Sequence, residues 1–130
     1  MTGFDTNVLV RFFIEDDPEQ CQRVDEFLQS LTPGSPGYVS VVSLIELVWV
    51  LSSQYRLNKA QLIQCLERLL EYHELMIEDH TAVTFALHRF SQFKADFADC
   101  LIECSGAAAG CGETYTFDAD ASRFAGMRLL

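Results

Sequence analysis

Apolar and polar positions along this chain fall into two alternating kinds of segment. The longer ones carry apolar residues three and four apart. After Pro18, with Asp17 as its N-cap, Val24, Phe27, Leu28 and Leu31 trace a single stripe, the spacing of one buried helix face. Leu62, Cys65, Leu66 and Leu69 do the same in a helix expected over Lys59–Tyr72, with Asn58 as its cap. Further helices are predicted from Thr6 to Ile14, from Asp79 or His80 to about Phe90, and from Asp96 through Ala109, where Gly110-Cys111-Gly112 stops the run. The segment Val42–Tyr55 is apolar around most of its circumference, which predicts a central helix packed on more than one side. Between these lie brief strand-like runs that begin with Gly3-Phe4 and continue at Tyr38-Val39-Ser40, Leu75-Met76-Ile77 and Thr114–Phe117, with Met127-Arg128-Leu129 as a last edge strand. Thr32–Gly37, rich in Pro and Gly, is the clearest loop.

Short strands alternating with longer helices predict an α/β fold, a central parallel sheet with helices on both faces. At 130 residues the chain has the length of one domain, and no linker, repeat or low-complexity tract divides it. In open sheets of this kind ligands bind beyond the carboxyl ends of the strands. Asp5 follows the first strand, Glu46 lies in the helix after the second, and Asp118 follows the fourth. Asp99, in the first turn of the helix leading into the fourth strand, is expected at the same edge.

Composition changes this picture in two ways. Nine basic against nineteen acidic residues give a net charge of −10, which argues against a nucleic-acid coat protein and suits a basic protein partner. Five cysteines without a C-x-x-C pair read as reduced thiols rather than a disulfide framework or zinc site. The N-terminus lacks the pattern of a secretory leader, and no run reaches the roughly 18 apolar residues of a membrane span. A cytoplasmic protein is the expectation.

Each acid has an ordinary structural reading. Asp5 can cap the first helix. Ser43 and Glu46 fit a capping box, Asp96 can cap the helix carrying Asp99, and Asp118 can shape a turn. Taken together they suggest something else. Carboxylates gathered in one place raise each other's pKa unless a cation holds them, and with no histidine at ligand spacing the donor set is all oxygen. That is the preference of Mg²⁺ or Mn²⁺, ions suited to phosphoryl displacement.

Asp5-Thr6-Asn7, Ser40-x-x-Ser43-x-x-Glu46-Leu47, Asp96-Phe97-Ala98-Asp99-Cys100-Leu101-Ile102 and Thr116-Phe117-Asp118, in this order, resemble the motif set of the PIN domain, and within it the ribonuclease toxins of VapBC-type toxin–antitoxin pairs. The resemblance covers essentially the whole chain. It implies a three-layer α/β/α sandwich and a Mg²⁺/Mn²⁺-dependent endoribonuclease that is commonly dimeric and inhibited by a cognate antitoxin. It maps the catalytic and metal-binding acids onto Asp5, Glu46, Asp99 and Asp118. Thr6 and Asn7 would support Asp5, and Thr116 would orient Asp118. Asp96 is assigned to capping or support rather than direct ligation, with Asp120 and Glu103 as possible outer acids.

Positive charge near the site is scarce, and Arg11 and Lys94 are the candidates for RNA phosphates. Two other functions compete. One is a phosphatase using Asp5 as nucleophile, weakened because Asn7 stands where a second aspartate is wanted. The other is a PIN-like interaction module for a basic partner. His73, His80 and His88 form no zinc motif, and the glycines form no dinucleotide loop. Trp49 is assigned to core or dimer contact, and Phe12 and Phe13 to an interface.

Overall fold

The computed structural model describes all residues, Met1–Leu130, and its contacts cluster into two compact units, Met1–Glu78 and Asp79–Leu130. The first contains β1 (Thr2–Gly3), α1 (Thr6–Phe13), α2 (Pro18–Ser30), β2 (Gly37–Val39), α3 (Val41–Ser53), α4 (Lys59–Glu71) and β3 (Leu75–Ile77). Its strands form a parallel sheet in the order β1-β2-β3, with Thr2 opposite Gly37 and Gly37 opposite Leu75. Parallel neighbours need long crossovers, here supplied by α1–α2 and by α3–α4. Between α2 and β2 the chain reverses in a tight turn in which Thr32 and Ser35 bond to each other's backbone.

Local chemistry sets the helix starts. Asp17 accepts the Gln20 N–H with Pro18 in the first turn, and Asn58 and Gln61 form a reciprocal capping box on α4. On α3 the cap is Ser40, whose hydroxyl accepts the Ser43 N–H at 3.1 Å. Ser43 is therefore the third residue of the helix and not its cap, so the expected Ser43–Glu46 box does not form. The core of this unit includes Val24, Leu28 and Leu31 of the first predicted stripe, Leu62, Leu66 and Leu69 of the second, and Leu44, Leu47 and Leu51 of α3, while Phe27 and Cys65 are only half-buried. Contrary to expectation, α3 keeps one face open: Val42 is 73% and Trp49 61% exposed, so Trp49 is not a core residue. Phe12 and Phe13 are half-buried. Their rings meet edge to face at 4.8 Å, Phe12 also meets Tyr72, and the Arg68 guanidinium lies over both.

The second unit contains α5 (His80–Gln92), α6 (Phe97–Ala108), β4 (Tyr115–Thr116), α7 (Ala119–Phe124) and β5 (Arg128–Leu129). Here β4 and β5 pair in parallel, Tyr115 opposite Arg128. The hydrogen-bonded ladders are thus two, one per unit, rather than one continuous sheet. Both are parallel and helix-connected, so the α/β class holds. The helices α5 and α6 bury Val83, Ala86, Phe97, Cys100 and Leu101, the small residues allowing close approach. Gly110, at φ +98°, ends α6 in the left-handed conformation that a side chain disfavours. The helix α7 is absent from the sequence expectation, which read Asp118 as a turn former.

Candidate active site

Asp5 stands where β1 gives way to α1. It is exposed, and its Oδ1 accepts the Thr6 N–H at 2.7 Å. Thr6 is buried, and its bond to Asp5 comes from its backbone N–H. Asn7 contributes to the wall of the cleft rather than a bond to Asp5. That cleft, of about 240 Å³, is lined by Asp5, Thr6, Asn7, Val10, Arg11, Glu46, Val50, Gln54 and Tyr55. Glu46 is exposed, not enclosed by apolar neighbours. A helix with nine apolar residues in thirteen still has a solvent side, and Glu46 lies on it. With Ser40 as the cap of α3, the Glu46 carboxylate has no capping role to fill.

Arg11 forms part of the same wall but is not idle. It pairs with Asp16 and donates to Gln20 Oε1 at 2.8 Å and to the Tyr55 hydroxyl at 3.3 Å. The Tyr55 bond, with Asp16 and Asp17 behind it, holds the guanidinium more firmly protonated than usual. The expected phosphate contact is thus already engaged in tying α1 to the start of α2 and to Tyr55, beyond the end of α3. The sequence carried a signal for this in the acidic break Glu15-Asp16-Asp17 before Pro18. Lys94 is exposed on the α5–α6 connection.

In the second unit Asp96 occupies the N-cap position of α6, but its side chain makes no capping bond. Asp99, one turn on, is half-buried. Burial, then the negative charges of Asp96 and Asp118, raise its carboxyl pKa above the ordinary aspartate value, which places these three acids within electrostatic reach of one another. Asp118 caps α7, its Oδ1 accepting the Asp120 and Ala121 N–H groups at 2.8 and 3.0 Å. The Thr116 hydroxyl accepts the Asp118 N–H at 3.0 Å, fixing the backbone from which that carboxylate projects. Glu103 is taken up elsewhere, in an ion pair with Arg89 at 2.7 Å. Arg89 also donates to the Ala125 carbonyl. No group of three or more Asp, Glu, His or Cys is drawn together closely enough to hold a metal ion.

The parallel strands, crossover helices and carboxylates at helix starts define an α/β protein with acidic side chains poised at element junctions. Residues 4–127 match the PIN domain, and the chain belongs to that family. It is also 25% identical over 118 residues to a VapC ribonuclease of Aquifex aeolicus (strain VF5), an alignment that covers 90% of this chain and 87% of the relative.

Proposed function

We propose that this protein is a Mg²⁺/Mn²⁺-dependent endoribonuclease and the toxin of a toxin–antitoxin pair, folded as a single three-layer α/β/α PIN domain. The observation that carries the reading is family membership across residues 4–127 combined with the state of the acids. Asp5 and Asp118 each engage one carboxylate oxygen with helix N–H groups, and Glu46 is released from capping. Asp99 is half-buried, and burial first, then the charges of Asp96 and Asp118, raise its pKa.

The residues fit a divalent ion by their chemistry. All four proposed ligands are hard oxygen donors, and the unbalanced repulsion on Asp99 is what a cation would relieve. Asp5, Glu46, Asp99 and Asp118 would hold it, with Asp96 in support. When bound, such an ion polarises water and neutralises charge on a phosphodiester under attack. The chain's own contribution is orientation. Thr6 and the first turn of α1 fix Asp5, while Thr116 and α7 fix Asp118. RNA is the proposed substrate, a cognate antitoxin and a second copy of the chain are the proposed partners, and the cytoplasm is the proposed location. No helix is long and apolar enough to cross a membrane.

Purified Asp5→Asn and Asp99→Asn variants, assayed with Mn²⁺ on RNA, are expected to lose cleavage while keeping the circular dichroism of the parent. Full activity in either variant refutes the assignment. The competing reading, a non-cleaving module for a basic partner, draws on the net charge of −10. Calorimetry separates the two: the nuclease reading requires Mn²⁺ binding that weakens in Asp99→Asn.

A further inference from the structure

One side chain in the second unit joins the helix that carries Asp99 to the helix that Asp118 caps. Arg89 stands in the last turn of α5 and is half-buried. Its Nη1 donates to Glu103 Oε2 and to the Ala125 carbonyl, each at 2.7 Å. Glu103 lies one turn after Asp99 on α6, so both project from one helix face. Ala125 is the C-cap of α7 and fully buried, and Asp118 is the N-cap of the same helix. With six residues, α7 is about 9 Å long, so a shift at its end reaches its start almost undiminished. Gly126 completes the seat. It sits at φ +83°, and a Cβ there would overlap Arg89 Nη1 and come within 2.9 Å of its Cζ. The guanidinium is thus packed against bare backbone, where a side chain would leave it no room.

We propose that Arg89 is a positioning residue for the acidic site, a clamp that sets the spacing between Asp99 and Asp118. The proposal rests on the nuclease reading above and adds a residue to it. Carboxylates with no ion between them repel, so the fold itself must hold their helices together before a cation arrives. Two charge-assisted bonds from one nitrogen do this with little slack. Arg89 donates to neither acid, so it acts through geometry, and geometry and charge make opposite predictions. Removing Arg89 takes a cation away and leaves Glu103 unpaired, one turn from Asp99. By charge alone, the added negative field would draw a divalent ion more tightly. By geometry, α6 and α7 lose their common anchor, the two acids drift apart, and the ion is held less well. Groups that orient metal ligands directly contribute about 10–100-fold to affinity. Arg89 acts one step further out, through two helices, so the lower end of that range, about tenfold, is expected.

Titration calorimetry with Mn²⁺ on the full chain, well below its melting range, tests the clamp, with RNA cleavage by the parent measured alongside. Arg89→Ala should weaken Mn²⁺ binding about tenfold at unchanged stoichiometry. Arg89→Lys, which keeps a charged donor, should recover most of the loss. Gly126→Ala displaces the guanidinium without deleting it and should weaken binding by a similar factor, but no further when residue 89 is already alanine. Val83→Ala, in the buried core of the same helix, controls for general loosening: its Tm should fall while its Mn²⁺ affinity stays that of the parent. If the parent binds Mn²⁺ and cleaves RNA, and Arg89→Ala binds the ion as tightly or more tightly, the clamp is overturned and the nuclease reading stands. The clamp is equally overturned if Arg89→Ala lowers only the number of sites per chain, or if Val83→Ala weakens binding as much, since the tie is then merely structural. Should Arg89→Ala not fold, Gly126→Ala carries the same outcomes. A parent that binds no Mn²⁺ and leaves RNA intact takes both readings down.

Discussion

Gly37 lies in the middle strand of the three-stranded sheet, opposite Thr2 on one side and Leu75 on the other. A methyl group at this position would fall well inside contact distance of Phe4 Cε2 and only 2.8 Å from Leu75 Cδ2. The Phe4 ring has little room to yield, since it is 8% exposed and meets Phe27 edge to face at 5.5 Å. Overpacking of a well-filled core costs about 1–3 kcal/mol. Against that, replacing glycine restricts the unfolded chain and recovers about 0.4–1 kcal/mol. The net for Gly37→Ala is a destabilisation of about 1–2 kcal/mol, or a fall in Tm of about 4–10 °C for a chain of this size. Thermal and urea denaturation measure it. The cause is tested by repeating the substitution in a Phe4→Leu background, where the ring is gone and the penalty should shrink by half or more. Phe4 is joined to β2 by its N–H bond to the Tyr38 carbonyl at 3.0 Å and directly precedes Asp5. RNA cleavage should therefore fall below the melting range as well. An unchanged or raised Tm, or the same penalty in both backgrounds, would refute this account.

Other consequences follow from single contacts. Asn58→Ala removes the capping box of α4 and should cost about 1 kcal/mol in urea melts, whereas Asn58→Asp should cost far less. The Tyr38 hydroxyl donates to Glu78 at 2.6 Å, and this bond raises its pKa above the usual value of 10.0. The folded state thus holds that proton more tightly than the unfolded one, so the stabilisation is complete below pH 10.0 and is lost as pH rises through the folded pKa. Tyr38→Phe should flatten the alkaline limb of the stability profile, and an identical limb would count against the bond. Cys111 is exposed, whereas Cys100 is fully buried with its thiol pushed up to about 11, chiefly by burial. Iodoacetamide at pH 8 should label Cys111 in the native protein and reach Cys100 only on unfolding, as read by peptide mass spectrometry.

The parts of the fold that were legible in the sequence are those set by local chemistry. The stripes of α2 and α4, their caps at Asp17 and Asn58, the loop from Thr32 up to Gly37 (itself the first residue of β2) and the stop at Gly110 need only neighbours in the chain. Three misreadings share one cause. Two serines three apart, Ser40 and Ser43, can each begin α3, and only the end of the preceding strand at Val39 decides between them. The hydropathy of α3 is high everywhere, so composition could not reveal that Val42, Glu46 and Trp49 would face outward. Arg11 read as a free cation although Asp16, five residues on, was in view; its further partners Gln20 and Tyr55 are nine and forty-four residues away. The acids were grouped in the sequence by their place at strand–helix junctions; the structure puts Asp5, Asp96 and Asp118 each at a helix start, the last at α7, which the sequence did not predict.

Capping and ligation are alternatives only if a carboxylate has one oxygen to give. Asp118 shows how they combine. Its Oδ1 receives two N–H groups from the first turn of α7, which fixes the plane of the carboxylate and leaves Oδ2 to a ligand. The two roles then separate by substitution. Asparagine and serine cap about as well as aspartate, while alanine forfeits about 1 kcal/mol. Asp118→Asn and Asp118→Ser should therefore retain stability, and Asp118→Ala should lose about that amount. For cleavage the order changes. Asparagine keeps a neutral oxygen and serine withdraws the donor altogether, so all three variants should be strongly impaired. If activity tracked stability across the series, with Asp118→Asn and Asp118→Ser near the parent and Asp118→Ala alone defective, Asp118 would be a helix cap and nothing more. The site would then have to be rebuilt around Asp5, Glu46 and Asp99.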